Sequence, residues 1–92
     1  MLILTVDYKL KKGRRDEFVK RLLAEKTAEH TRSEQGCIRY EYYLPIDRED
    51  ELFLLEAWES REDQQRHLQS GHMRKMREFK DEYVESTELG QL

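Results

Sequence analysis

The sequence has few residues that could cross-link the chain or interrupt its helices and strands. Among 92 residues there are one cysteine, one proline and four glycines. A single cysteine excludes an internal disulfide, which fits a reducing compartment, and a cytoplasmic location is therefore expected. As a nucleophile Cys37 would need a neighbouring base, and the sequence shows none beside it. Cys37 is therefore predicted to be a packed thiol.

Long apolar runs are also missing. The segment MLILTVDYKLKK is apolar over too few residues for a signal or membrane segment, and its basic residues follow the apolar stretch instead of preceding it. Charged residues make up 40% of the chain, yet the net charge is only −3. The basic run at 9–15 is balanced by an acidic run at 47–51. This mixed-sign surface predicts a folded domain that binds neither nucleic acid nor membranes.

The hydrophobic pattern predicts four strands and two helices in one domain, 1–92. Strands are expected at 2–10, 37–44, 51–60 and 84–92 because β-branched and aromatic residues are frequent there. The segment 14–34 contains no Gly or Pro and is predicted to be one helix. The second helix is expected to start at Ser60, to break at Ser70-Gly71 and to continue to Tyr83. The order β-α-β-β-α-β predicts an α+β, ferredoxin-like fold with an antiparallel sheet.

The third predicted strand carries apolar side chains on both faces. A strand with one face in water would alternate more regularly between apolar and polar residues. The two helices can cover only one face of the sheet, so the other is best buried against a second copy of the chain. A homodimer is predicted. The residues of the two faces are Phe53, Leu55 and Ala57 on one, and Leu52, Leu54 and Trp58 on the other.

Three motifs occur in a characteristic order along the chain. They are EQGCIRYEYY at 34–43, FLLEAWES at 53–60 and HLQSGHM at 67–73. This series resembles the antibiotic biosynthesis monooxygenase family, in which a Gly-Cys-x-x-Tyr strand start, an ExWxS strand end and an HxxSxH helix break recur in that order. The resemblance covers nearly the whole chain and implies a dimeric α/β barrel.

Several activities occur among members of this family. Some members are cofactor-independent monooxygenases of phenolic or quinol-type substrates, others degrade haem, one branch isomerises a phosphorylated signalling sugar, and many have no assigned activity. At the positions where the haem-degrading branch has Asn, Trp and His, this sequence has Asp7, His67 and Arg77, so haem degradation is not expected. The resemblance implies a monooxygenase that uses O₂ and a small aromatic, quinol-like or phenol-like substrate without a cofactor. The alternatives are an isomerase of a small oxygenated metabolite and a non-catalytic small-ligand-binding protein.

A cofactor-free reaction with O₂ needs a base that deprotonates the substrate, because the resulting anion is a better one-electron donor. Histidine is the side chain best suited to this role, and His67 and His72 are the candidates for base and anion partner. Five residues on a continuous helix correspond to about 140° of rotation, so the two rings would meet only if the Ser70-Gly71 break reorients them. The same spacing does not match a paired-histidine metal site, and no metal is predicted.

The remaining candidate site residues lie in the second and third strands. Glu56 is the third catalytic candidate: between Leu54 and Trp58, a buried carboxylate must be paired or have a raised pKa. Its partner could be Arg39 or a histidine of the helix. Trp58, Tyr42 and Arg39 are the candidate substrate-binding residues, although for Trp58 and Tyr42 a place in the core is the simpler interpretation.

Overall fold

A four-stranded antiparallel sheet forms the framework of the protein. The structure is a computed structural model that describes residues 1–92. Its strands are β1 (Leu2–Leu10), β2 (Cys37–Tyr43), β3 (Glu51–Trp58) and β4 (Val84–Gln91). They lie in the order β2-β3-β1-β4, and every neighbouring pair is antiparallel. The predicted ferredoxin-like fold is confirmed.

Four helices connect these strands, because both predicted helices are divided. They are α1 (Arg15–Ala24), α2 (Thr27–Arg32), α3 (Arg61–Leu68) and α4 (Gly71–Tyr83). The prediction of one helix over 14–34 was wrong, since Lys26 adopts a left-handed conformation with φ of 55°. The break turns Thr27 and Thr31 inward, and both are buried. Burial of α2 against β2 therefore outweighs the helical pattern of a segment that has no Gly or Pro.

The division of the second helix follows the prediction. The hydroxyl oxygen of Ser60 accepts a hydrogen bond from the Asp63 backbone N–H at 3.2 Å, and that of Ser70 accepts one from the Met73 N–H at 3.3 Å. Each serine is thus the N-cap of a separate helix. The axis of α4 can consequently differ from that of α3. The directions of side chains on α3 and on α4 are therefore not fixed by the geometry of one continuous helix.

A glycine turn brings the start of β2 next to α3. Gly36 has φ of 81°, a left-handed conformation that glycine adopts without steric cost. Its carbonyl accepts a hydrogen bond from the Glu59 N–H at 2.8 Å. A Cβ atom at position 36 would overlap the carboxyl group of Asp63. Only glycine therefore permits this approach between the turn and α3.

The core lies between the helices and one face of the sheet. Phe18 of α1 is fully buried, and its ring centroid lies 5.6 Å from that of Tyr8 and 5.6 Å from that of Tyr83. Trp58 at the end of β3 is also fully buried. Every second residue of β1 and β3 points into this core, which gives the strands their alternating burial. No helix is long and apolar enough to span a membrane.

The opposite face of the sheet carries a second set of apolar side chains. Ala57 pairs with Ile3 in the register of β3 and β1, and Leu55 pairs with Thr5. Phe53 and Leu55 are only partly buried, while the alternate residues Leu52 and Leu54 are each 1% exposed. The two-faced apolar pattern predicted for β3 is therefore present in the structure.

Candidate functional site

The two histidines meet at a carboxylate that the sequence did not indicate. His67 Nδ1 lies 2.6 Å from Glu34 Oε2, and His72 Nε2 lies 2.9 Å from the same oxygen. The His67 and His72 ring centroids are 5.9 Å apart. The Ser70-Gly71 break makes this possible, because the rings belong to separate helices instead of opposite sides of one helix.

Glu34 reaches this position because it lies between the end of α2 and the Gly36 turn. Its backbone carbonyl accepts a hydrogen bond from the Cys37 N–H at 3.2 Å, which shapes the turn into β2. The partners lie 33 and 38 positions further along the chain, so no local spacing reveals the cluster. The only signal in the sequence is the glutamate that opens the motif EQGC.

His67 is enclosed, and one of its ring nitrogens has no partner. Its side chain is 1% exposed, and the ring lies 4.9 Å from the Trp58 ring and 5.5 Å from the Tyr40 ring between centroids. A carboxylate only accepts hydrogen bonds, so the contact with Glu34 assigns the proton to Nδ1. His67 Nε2 is buried without a hydrogen-bond partner. It therefore carries a lone pair that can accept a proton.

His67 lines a cavity of about 280 Å³ between the sheet and the helices. The polar residues Tyr40, Glu56 and Gln64 line the same cavity, and Met73 and Met76 are among its apolar residues. Burial raises the pKa of Tyr40 well above its ordinary value, so this hydroxyl stays protonated and can donate. A base, a carboxyl group and a hydroxyl donor therefore line one cavity.

His72 occupies the outer side of the cluster. Its side chain is 17% exposed, and its ring stacks on that of His30 with the centroids 5.6 Å apart. His72 borders a separate surface depression together with His30 and Lys75. Glu34 thus connects a buried imidazole on one side with a partly exposed one on the other.

Glu56 has a hydrogen-bond partner that was not expected. The Trp58 indole N–H donates to Glu56 Oε1 at 3.0 Å. Of the two expected partners, His67 lies near enough to act on the Glu56 charge, whereas Arg39 does not pair with it. Burial raises the pKa of Glu56, while the Trp58 hydrogen bond and the nearby His67 act in the opposite direction. Burial dominates because one neutral donor replaces only part of the lost hydration.

Stability is expected to fall as Glu56 ionises. Because its pKa is raised in the folded state, the folded protein binds this proton more tightly than the unfolded chain does. The stabilisation that comes from protonated Glu56 is complete below the ordinary glutamate pKa of 4.5. It is lost as the pH rises towards the raised pKa of Glu56 in the folded state. Glu56→Gln keeps an acceptor for Trp58 and does not titrate. Urea unfolding from about pH 4 to about pH 7 should therefore show the variant gaining stability relative to wild type. If the difference in unfolding free energy between Glu56→Gln and wild type stayed the same over this pH range, the expected effect of Glu56 ionisation would be contradicted.

The candidate substrate-binding residues are dispersed. Trp58 lies in the core behind Glu56 and is not part of the cavity lining. Arg39 lies on the other face of the sheet, where its guanidinium donates to the Tyr43 hydroxyl at 2.6 Å and to Glu41 at 3.2 Å. Tyr42 lines a different cavity, and burial raises its pKa to about 12. The structure thus brings together His67, Glu56 and, through Glu34, His72, and it separates them from Arg39 and Tyr42.

The cluster of Glu34, His67 and His72 also has the composition of a metal site. Its three ligand atoms lie within 4.8 Å of one another, and two imidazoles with one carboxylate suit divalent transition metals. The spacing that led us to predict no metal applies to one helix, whereas these ligands come from three segments. In the structure both nitrogens hydrogen-bond to the same carboxylate oxygen.

These features define a small α+β domain of ferredoxin-like fold with a histidine-carboxylate cluster beside a cavity. The model of the family described as antibiotic biosynthesis monooxygenase matches residues 1–78. The chain belongs to the antibiotic biosynthesis monooxygenase family, as its motifs predicted. A search of curated proteins finds no significant match.

Solved structures show the same fold. A Pseudomonas aeruginosa protein superposes with a TM-score of 0.90 at 19% identity, covering 99% of this chain and 90% of its own. A conserved Methanosarcina mazei Go1 protein has a TM-score of 0.84 at 26% identity, covering 100% of this chain and 92% of its own. A structure described as an antibiotic biosynthesis monooxygenase has a TM-score of 0.87 at 17% identity, covering 100% and 96%. The fold is thus shared over the whole chain.

Proposed function

We propose that the protein is a cofactor-independent monooxygenase of a small aromatic substrate of the quinol or phenol type. The observation that carries the proposal is the buried, unpartnered Nε2 of His67, a residue that lines a cavity together with Glu56 and Tyr40. An imidazole whose other nitrogen donates to a carboxylate is an effective general base. A phenol bound in this cavity would meet a base and a donor for its anion.

The first step of this mechanism is proton transfer from the substrate hydroxyl to His67 Nε2. Glu34 stabilises the imidazolium that forms, because its carboxylate already accepts the Nδ1–H hydrogen bond at 2.6 Å. The substrate anion then transfers an electron to O₂, and the two radicals combine through a new C–O bond. The Tyr40 hydroxyl stabilises the anion by donating a hydrogen bond.

The second step completes the oxidation without an external reductant. The peroxide O–O bond breaks as the substrate ring carbon loses its hydrogen, so the C–H and O–H groups of a phenol and O₂ give the two carbonyl groups of a quinone and water. The substrate supplies all the electrons that reduce O₂. Glu56, whose pKa is raised by burial, supplies the proton to the departing oxygen and recovers one afterwards.

The proton held by His67 leaves through Glu34 and His72. Glu34 Oε2 contacts both rings, at 2.6 Å and 2.9 Å. Of the three residues in this cluster, only His72 borders the surface depression. The relay restores neutral His67 after each turnover without opening the cavity to water.

Oxygen uptake tests the proposal directly. A panel of phenols and quinols is incubated with the protein in air and under anaerobic conditions, with His67→Ala and His72→Ala as variants. We expect uptake and product only in air, with loss of rate in His67→Ala. Product formed without oxygen would instead indicate an isomerase, and binding without product a ligand-binding protein. No uptake with any compound, or full rates in both variants, would refute the mechanism.

We also propose that two copies pair through the open face of the sheet to form a dimeric α/β barrel. Phe53 and Leu55 are apolar, only partly buried and adjacent to Ala57 on this face. Burying them against a second copy at roughly 25 cal/mol per Å² would add substantially to a small core.

The dimer is tested by sedimentation at micromolar concentration. Wild type is expected to be a dimer, and Leu55→Glu is expected to be a monomer because it introduces a charge into the interface. Ile46→Glu is the matched control, since Ile46 is fully exposed in the loop between β2 and β3. A monomeric wild type, or a dimeric Leu55→Glu, would contradict this interface.

A further inference from the structure

A second cavity, of about 500 Å³, lies on the helical side of the sheet beside α1 and α2. It shares no lining residue with the His67 cavity. Its volume lies in the range of about 300–1,000 Å³ that small-molecule sites occupy. It is on the opposite side of the sheet from the face proposed to form the dimer. The apolar part of the lining is formed chiefly by Val19, Leu22, Ala28, Tyr42, Leu44 and Leu52.

Two cations border this apolar space without a carboxylate partner. Lys26 and Arg32 line the cavity, and neither takes part in any salt bridge of the chain. Arg32 Nε donates to the Tyr40 carbonyl at 2.9 Å. This bond anchors the guanidinium and leaves its terminal nitrogens available. Glu29 is the only acidic residue of the lining, so the cations outnumber the anions.

Tyr42 contributes its aromatic ring, not its hydroxyl, to the lining of this cavity. The hydroxyl is inaccessible to solvent and lies beside that of Tyr40 inside the core. The groups that can contact a ligand here are therefore the apolar side chains and the two cations.

We propose that this cavity binds an amphipathic monoanion, namely an aliphatic or aryl chain that ends in a carboxylate. The chain would pack against Val19, Leu22 and Leu52, and the carboxylate would bind Arg32 and Lys26. The geometry of a guanidinium fork matches that of a carboxylate. A neutral apolar ligand would leave Lys26 and Arg32 without an anionic partner. A highly charged ligand would lie mostly against apolar side chains. The site does not depend on the proposed oxidation.

Octanoate and octan-1-ol are the probes, compared by NMR titration of the full chain. We expect octanoate to shift the backbone resonances of the cavity lining and to bind at least about tenfold more tightly than the alcohol, since charged hydrogen bonds are the stronger ones. Arg32→Gln should weaken octanoate binding by about tenfold or more, and Arg32→Lys, which keeps the charge, should weaken it less. Lys20→Gln is the matched control, because it removes an exposed charge of α1 outside the cavity.

A second variant fills the cavity instead of changing its charge. Ala28→Phe should abolish binding while its NMR spectrum remains that of a folded protein. Equal affinity for octanoate and octan-1-ol, binding retained in Ala28→Phe, or shifts confined to the His67 cavity would each overturn the proposal. It is also overturned if the lining resonances change on dilution of the free protein and octanoate causes no shift, because a second copy would then cover the cavity.

Discussion

Replacing His67 with glutamine is expected to lower kcat for the proposed quinol oxidation by about 10²- to 10⁴-fold, the usual contribution of a general base. Glutamine is close to histidine in size and can still donate to Glu34, but it cannot accept a proton from the substrate. KM should change little, because the rest of the cavity lining is preserved. Steady-state oxygen uptake with the best substrate of the panel measures both constants.

A second variant separates the base from the relay. His72→Gln should reduce kcat much less than His67→Gln, because His72 lies outside the cavity and acts only through Glu34. Added imidazole should partly restore the His72 variant if proton exit limits its rate. Circular dichroism confirms that each variant is folded. Full activity in His67→Gln would remove the base from the mechanism, and equal losses in both variants would argue against separate roles.

Replacing Trp58 with alanine is expected to destabilise the fold by about 3–5 kcal/mol, the range found for deleting a large buried aromatic side chain. Trp58 is fully buried, contacts the His67 ring and donates its indole N–H to Glu56. Its removal leaves a cavity and an unpaired carboxyl group together. For a domain with about 5–15 kcal/mol of stability, this is a large fraction of the total. Urea unfolding with a constant m-value measures it.

Trp58→Phe serves as the matched control. Phenylalanine retains much of the buried ring but has no N–H group, so this variant isolates the loss of the Glu56 hydrogen bond. Its destabilisation should be clearly smaller than that of Trp58→Ala. If Trp58→Ala instead changed stability by less than about 0.5 kcal/mol, as exposed positions usually do, the assignment of Trp58 to the core would be wrong.

Much of the fold could be predicted because its signals are local. Alternating residues define β3, and Ser60 and Ser70 mark the starts of two helices through their side-chain caps. The break at Lys26 could not be predicted in this way. No residue there favours a left-handed conformation, and the break exists because Thr27 and Thr31 gain burial in the assembled structure.

The candidate site was only partly predictable for the same reason. His67 and Glu56 were identified because each is a titratable residue beside apolar ones. Glu34 was not, since its partners are distant in sequence. The suggested pairing of Arg39 with Glu56 failed because Tyr40 pairs with Glu56 in the register of β2 and β3 and shares its face, which leaves Arg39 on the other side. The register of two strands depends on contacts along their whole length.

The turn at Gly36 links the stability of the fold to the chemistry of the site. The space that a Cβ atom would fill there belongs to Asp63, and Asp63 lies on the same helix as His67. Any side chain at position 36 would push α3 away from the turn, and Glu34 lies only two residues before that glycine. The distance between Glu34 and His67 is therefore set by the backbone at Gly36 rather than by the two side chains. A single added methyl group at position 36 would therefore disturb both the fold and the contact between Glu34 and His67.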